Sequence, residues 1–158
     1  DAKNQAENRM IVDLLRNDIS RITTVGSLHV PELFAVETYP SLHQMISRIR
    51  AKLLPGLTIR DLMAALFPCG SITGAPKIRA MQIIHDLEDS PRNVYCGAIG
   101  YLGFNGRADL NIAIRTAQFG NGMARVQGGG GITARSYPAA EYEESLTKIR
   151  RIMEAFAA

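Results

Sequence analysis

The chain has 158 residues, of which 46% are hydrophobic, and its formal net charge is +3. This length and composition fit one globular core, and the weak, evenly spread charge lacks the basic stripe of a nucleic-acid-binding protein. No apolar run approaches the roughly 20 residues of a membrane helix, and the polar N-terminal segment does not resemble a signal peptide. We therefore expect a cytoplasmic protein with no membrane or nucleic-acid partner, in which Cys69 and Cys96 are buried thiols.

Helices dominate the first half of the sequence. Helical spacing of apolar residues, capping patterns and a proline suited to a first helical turn predict helices over 2–19, 42–53, 58–67 and 76–88. The second of these depends on Ser41 and Gln44, which together resemble a capping box. Thr58 and Asp61 form a similar pattern before the third. Residues 28–38 are predicted to be extended.

The second half has the pattern of a β-meander followed by a helix. Three apolar runs, 94–104, 109–119 and 123–128, are separated by Asn-Gly pairs, which strongly indicate hairpins. Alternation in the middle run places Ile112 and Ile114 on one face of the sheet and Arg115 on the other. The fold class is therefore α+β, an antiparallel β-meander packed with helices.

A last helix is predicted from Pro138 to Phe156. Four of its residues are expected to face the core: Tyr142, Ile149, Met153 and Phe156. Glu141 and Glu144 are spaced i, i+3 and project from one side of this helix.

Two glycine-containing segments are candidates for binding an anion. Residues 70–75 are mostly small and lead into a helix that begins with Pro76 and Lys77, so free backbone N–H groups and a cation lie together. The alternative is an ordinary capped helix start. Residues 128–131 are four consecutive glycines, which allow close approach of the backbone to a ligand. A flexible loop is the alternative there.

Several charged side chains are candidates for chemistry. Glu7, Glu141 and Glu144 could converge on a divalent cation such as Mg²⁺, although single glutamates are most often solvated surface charges. Arg115 has a planar guanidinium suited to a carboxylate, or it pairs with a structural acid. His43 could act as an acid or base, but a lone histidine is more often a packing residue.

The motifs taken together resemble one family, the chorismate-utilising enzymes. The segments that carry the resemblance are AENRMIVDLLRND (6–18), FPCGSITGAPKIRAM (67–81), YCGAIGY (95–101), IAIRT (112–116), GGGI (129–132) and EYEE (141–144). They occur in the family's order and extend over essentially the whole chain. Within the family, Ser71 and residues 30–34 are most similar to the branch that aminates chorismate at C4.

The resemblance implies a role for each candidate residue. Glu7, Glu141 and Glu144 would be the Mg²⁺ ligands, and His43 would be the catalytic residue near the departing ring hydroxyl. The substrate chorismate would be bound by Ser71, Gly74, Tyr95, Arg115, Gly129 and Gly131. The complete fold would be an α/β sandwich of two halves.

The implied function is amination of chorismate to 4-amino-4-deoxychorismate, which leads to p-aminobenzoate and folate. Ammonia would come from a partner glutamine amidotransferase. The alternatives are the branch that makes anthranilate for tryptophan and a non-catalytic domain that keeps a chorismate pocket or the amidotransferase contact. Residues 1–158 would form the C-terminal part of a chorismate-binding domain. The family's upstream lysine motif is not in this sequence, so we expect these residues alone to be inactive.

Overall fold

The computed structural model describes residues 2–40 and 42–157, and within them the chain forms five helices and six strands. The helices are α1 (Ala2–Ser20), α2 (Ile59–Leu66), α3 (Gly70–Thr73), α4 (Lys77–Leu87) and α5 (Pro138–Ala157). The strands are β1 (His29–Tyr39), β2 (Leu42–Arg50), β3 (Ala98–Leu102), β4 (Ala108–Ile112), β5 (Ala117–Gly120) and β6 (Met123–Val126). The chain divides into a first unit, Asp1–Leu87, and a second unit, Glu88–Ala158.

In the first unit, helix α1 packs against α2, α3 and strand β2. The buried apolar residues of this unit are Val12, Ile22, Ala65 and Cys69. The predicted capping box of α2 is confirmed, because the Thr58 hydroxyl accepts a hydrogen bond from the Asp61 N–H and the Asp61 carboxylate accepts one from the Thr58 N–H. These two bonds satisfy backbone donors that the first helical turn leaves free.

The helix predicted over 42–53 is wrong, because this segment is largely strand β2, paired antiparallel with β1. Residues 47–50 alternate between half-buried and exposed, which is the period of a strand with one covered face. The capping pattern that suggested a helix included Ser41, which lies outside the described residues. Pairing with the extended segment before it therefore overrides a local capping signal.

The second unit contains two hairpins, β3–β4 and β5–β6, with α5 packed against β6. Both predicted Asn-Gly turns are confirmed, and Asn121 and Gly122 have φ angles of 51° and 73°, as a tight hairpin turn requires. The single strand predicted over 109–119 is instead β4 and β5. Between them, fully buried Ala113 exchanges backbone hydrogen bonds with Cys96 and Gly97, beyond the end of the regular ladder.

Helix α5 matches its predicted bounds but buries a different set of side chains. Tyr142, Met153 and Phe156 are exposed, contrary to the prediction, whereas Ile149 is half-buried beneath Gly128. The buried residue of this helix is Glu141. The helix therefore turns a carboxylate, rather than an aromatic side chain, toward the interior of the unit.

The α+β class with antiparallel strands is confirmed, and so is the burial of Cys69 and Cys96. In the part of the chain that the structure describes, no helix combines the length and apolarity that a membrane span requires.

Candidate functional site

The glycine loop, residues 128–131, lies between Tyr95 and helix α5 in the second unit. A Cβ atom added to Gly129 would lie 3.1 Å from the Tyr95 hydroxyl oxygen. One added to Gly130 would lie 3.1 Å from Glu141 Oε2 and 3.7 Å from Glu144 Oε1. Gly129 thus lies against a phenol and Gly130 against two carboxylates, and side chains on these residues would obstruct both contacts.

The structure therefore assembles four of the predicted site residues, Tyr95, Gly129, Glu141 and Glu144, around one loop. Gly131, the other predicted loop residue, has no atom within 4 Å of the position that a Cβ would occupy. Space beside its backbone is open, so a ligand could approach this part of the loop closely.

Lys148 is part of this cluster, although it was not among the residues predicted from the sequence. Its ammonium lies 2.7 Å from Glu144 Oε1 and donates a hydrogen bond to the Gly129 carbonyl oxygen at 3.2 Å. The spacing of Glu144 and Lys148, i and i+4 on one helix, is a signal that could have indicated this ion pair. Lys148 therefore places a positive charge beside the carboxylates of Glu141 and Glu144.

The two carboxylates are suitable ligands for Mg²⁺. Glu141 is buried, with 8% of its surface exposed, and both carboxylates lie against the same glycine. No cluster of three or more acidic, histidine or cysteine side chains that could hold a metal is found among the described residues. Mg²⁺ is commonly bound by one or two carboxylates, with water and substrate oxygens completing its shell. The residues present therefore fit this ion together with an anionic ligand.

Tyr95 is held in a half-buried position beside charged groups. The guanidinium carbon of Arg92 lies 5.8 Å from the centroid of the Tyr95 ring. Burial raises the pKa of the Tyr95 hydroxyl, with smaller effects of the same sign from Cys96, while Arg92 opposes the increase. The phenol therefore stays protonated at neutral pH and can donate a hydrogen bond to an anion.

The strand position predicted for Arg115 is wrong. Arg115 does not lie in a strand but in the segment between β4 and β5, with a positive φ of 51° and an exposed side chain. The Cys96 N–H donates a hydrogen bond to the Ala113 carbonyl, so the backbone is paired one residue after Tyr95 and two residues before Arg115. The backbone turns at this break in the strand. The alternation of side chains along a strand therefore does not determine the direction of the Arg115 guanidinium.

The remaining candidates, Glu7, His43, Ser71 and Gly74, belong to the first unit. Glu7 is half-buried on α1, and the exposed His43 shares a hydrogen bond of 3.0 Å with the Thr38 hydroxyl. His43 lies in strand β2 and not at a helix start. A metal site that joins Glu7 to Glu141 and Glu144 remains a prediction.

The small-residue segment is not a loop throughout, because Gly70–Thr73 form the short helix α3. The Ser71 hydroxyl lies 3.2 Å from the Cys69 sulfur, and Gly74 ends the helix with a φ of 129°. Lys77, predicted as a cation for a bound anion, instead forms an ion pair of 2.7 Å with Asp18 on α1. The positive charge of this segment is therefore neutralised within the protein.

The glycine loop, the phenol, the paired carboxylates and the lysine are groups whose chemistry suits a small anionic molecule and a hard cation. The chain belongs to the chorismate binding enzyme family, whose model matches residues 1–154.

Individual relatives are similar over nearly the whole chain. It is 53% identical over 153 residues to aminodeoxychorismate synthase component 1 of Escherichia coli K12, covering 97% of this chain and 34% of the relative. It is 46% identical over 157 residues to anthranilate synthase component 1 of Pseudomonas aeruginosa PAO1, covering 99% and 32%. The crystal structure of anthranilate synthase component I from Streptococcus pneumoniae TIGR4 superposes with a TM-score of 0.87 at 46% identity, covering 95% and 34%. The chain thus spans about a third of the length of these relatives.

Proposed function

We propose that this chain is part of an enzyme that aminates chorismate at C4 to give 4-amino-4-deoxychorismate, a precursor of p-aminobenzoate and folate. The observation that carries the proposal is the glycine loop, in which Gly129 lies against Tyr95 and Gly130 lies against Glu141 and Glu144. The choice of C4 amination is supported by the 53% identity to an aminodeoxychorismate synthase component, against 46% for an anthranilate synthase component. We expect such an enzyme to act in the cytoplasm.

The residues of the second unit suit the two carboxylates of chorismate. The protonated Tyr95 hydroxyl and the Arg115 guanidinium would bind the carboxylate of the enolpyruvyl arm, together with the backbone N–H groups of Gly129 and Gly131. Lys148 would orient Glu144 and the Gly129 carbonyl through the two contacts that it already makes.

Glu141 and Glu144 would hold Mg²⁺, with Glu7 as a further ligand. When bound, the ion would neutralise the ring carboxylate and so make the ring easier to attack. His43 would assist departure of the C4 hydroxyl, and Ser71 with Gly74 would contact the substrate. Ammonia would be supplied by a glutamine amidotransferase partner. These roles are expectations for the assembled enzyme.

A second candidate is the anthranilate-forming reaction, in which ammonia adds at C2 and pyruvate is eliminated. It is favoured by the TM-score of 0.87 to an anthranilate synthase component at 46% identity. The two reactions leave different products from the same substrate, so product analysis separates them directly.

The test is to incubate the full-length protein with chorismate, Mg²⁺ and ammonium and to identify the product by liquid chromatography and mass spectrometry. We expect 4-amino-4-deoxychorismate, which keeps the enolpyruvyl arm, and no release of pyruvate. Anthranilate with an equal amount of pyruvate would support the second candidate. Binding of chorismate without turnover, even with the amidotransferase partner added, would indicate a non-catalytic domain.

A further inference from the structure

Glu88 and Arg92 form an ion pair next to Tyr95. Arg92 Nε donates to both carboxylate oxygens of Glu88, at 3.1 and 2.9 Å, and its Nη2 donates at 2.6 Å. The two residues are spaced i, i+4, but they lie after the end of α4 at Leu87, so the geometry of a helix does not explain their contact. Only 23% of the Arg92 side chain is exposed. A fork bound through two nitrogens fixes the plane of the guanidinium.

The fixed guanidinium contacts the ring of Tyr95. The distance of 5.8 Å from Arg92 Cζ to the ring centroid is within the range of a cation–π interaction. The far end of the same ring carries the hydroxyl that lies against Gly129. A line of contacts thus runs from Glu88 through Arg92 and Tyr95 to the glycine loop.

We propose that Arg92, held by Glu88, is a positioning residue that fixes the Tyr95 phenol so that its hydroxyl can bind a substrate carboxylate. The inference rests on the proposed function. Arg92 acts through the ring and does not itself contact the substrate. A side chain already fixed in its bound orientation loses less conformational entropy on binding, so the expected consequence is tighter binding of chorismate.

Arg92 should also affect the pKa of the Tyr95 hydroxyl, and this effect can be measured without the substrate. Burial is the main cause that raises the pKa of the Tyr95 hydroxyl, Cys96 and Glu88 raise it further, and Arg92 lowers it. Removing the guanidinium should therefore move the pKa of Tyr95 further upward. A change that merely loosened the fold would expose the phenol and move this pKa downward instead.

The test is a double-mutant cycle on chorismate binding, measured by calorimetry in the full-length protein. We expect Arg92→Met to weaken binding by roughly fivefold or more when Tyr95 is present and by less than about twofold in a Tyr95→Phe background. Arg92→Lys keeps the charge without the fork and should recover part of the affinity. Arg107→Met, at an exposed arginine of the same unit, is the matched control and should leave binding unchanged.

Equal losses from Arg92→Met in the two backgrounds would overturn the role of Arg92 while leaving the proposed function in place. If Arg92→Met does not fold, Arg92→Lys and Glu88→Gln complete the same cycle. Difference ultraviolet titrations, of wild type against Tyr95→Phe and of Arg92→Met against the double variant, give the pKa of Tyr95 in each background without substrate. An unchanged pKa would also contradict the proposal. Absence of any chorismate binding by the wild type would instead overturn the proposed function.

Discussion

Replacing Arg115 by alanine in the full-length protein is expected to weaken chorismate binding by about 2 kcal/mol, or roughly 30-fold, through the loss of charge-assisted hydrogen bonds to a carboxylate. The thermal midpoint should change little, because the side chain is exposed and alanine can adopt the same positive φ at a similar cost. Calorimetric titration with chorismate measures the first quantity, and scanning calorimetry the second.

The matched control for Arg115 is Arg125→Ala, at an exposed arginine on strand β6 of the same unit. It removes an equal charge, so a general electrostatic attraction for the substrate would weaken binding equally in the two variants. Equal losses would contradict a specific contact with Arg115. Arg115→Lys should fall between wild type and Arg115→Ala, because an ammonium keeps the charge but cannot bind a carboxylate through two nitrogens.

Replacing Lys77 by methionine is expected to lower the free energy of unfolding by about 3 kcal/mol, because it leaves a buried carboxylate without its counter-ion. The ammonium of Lys77 lies 2.7 Å from Asp18 Oδ2, and only 7% of the Asp18 side chain is exposed. The pair joins the end of α1 to the start of α4. Denaturation by urea, followed by circular dichroism, measures the change.

Two further variants separate the ion pair from simple packing. The double variant Asp18→Asn with Lys77→Met removes the isolated charge and should recover a large part of the lost stability. Lys52→Met, at an exposed lysine of the same unit, should have an effect within about 0.5 kcal/mol of zero. A double variant that is no more stable than Lys77→Met alone would contradict the ion-pair explanation.

Local signals predicted most of the elements correctly. The helices α1, α2, α4 and α5 and the two Asn-Gly hairpins are confirmed because each carries its own signal of spacing, capping or turn chemistry. Strand β2 was missed because Ser41 and Gln44 imitate a capping box, and only pairing with β1 reveals the strand. The break that divides β4 from β5 was missed for a related reason, since Ala113 bonds to residues distant in sequence.

In the candidate site, too, contacts within one helix could be predicted from the sequence, whereas contacts between distant segments could not. The spacing of Glu141 and Glu144 predicted that they share a face of α5, and both do lie against Gly130. The position of Tyr95 beside Gly129 depends on how the second unit packs, which no local pattern encodes. The prediction for Lys77 was wrong because its partner, Asp18, is distant in sequence and becomes a neighbour only when α1 packs against α3, the short helix that precedes α4.

We propose that the carboxylates facing the glycine loop hold Mg²⁺ together with the substrate. The most direct measurement is the dissociation constant of chorismate, with and without Mg²⁺, for wild type, Glu144→Gln and the neighbouring Glu143→Gln. We predict that Mg²⁺ tightens binding to the wild type and to Glu143→Gln, and that Glu144→Gln loses most of this dependence. A Glu144→Gln protein that responds to Mg²⁺ as strongly as the wild type would contradict a role of Glu144 in holding the ion.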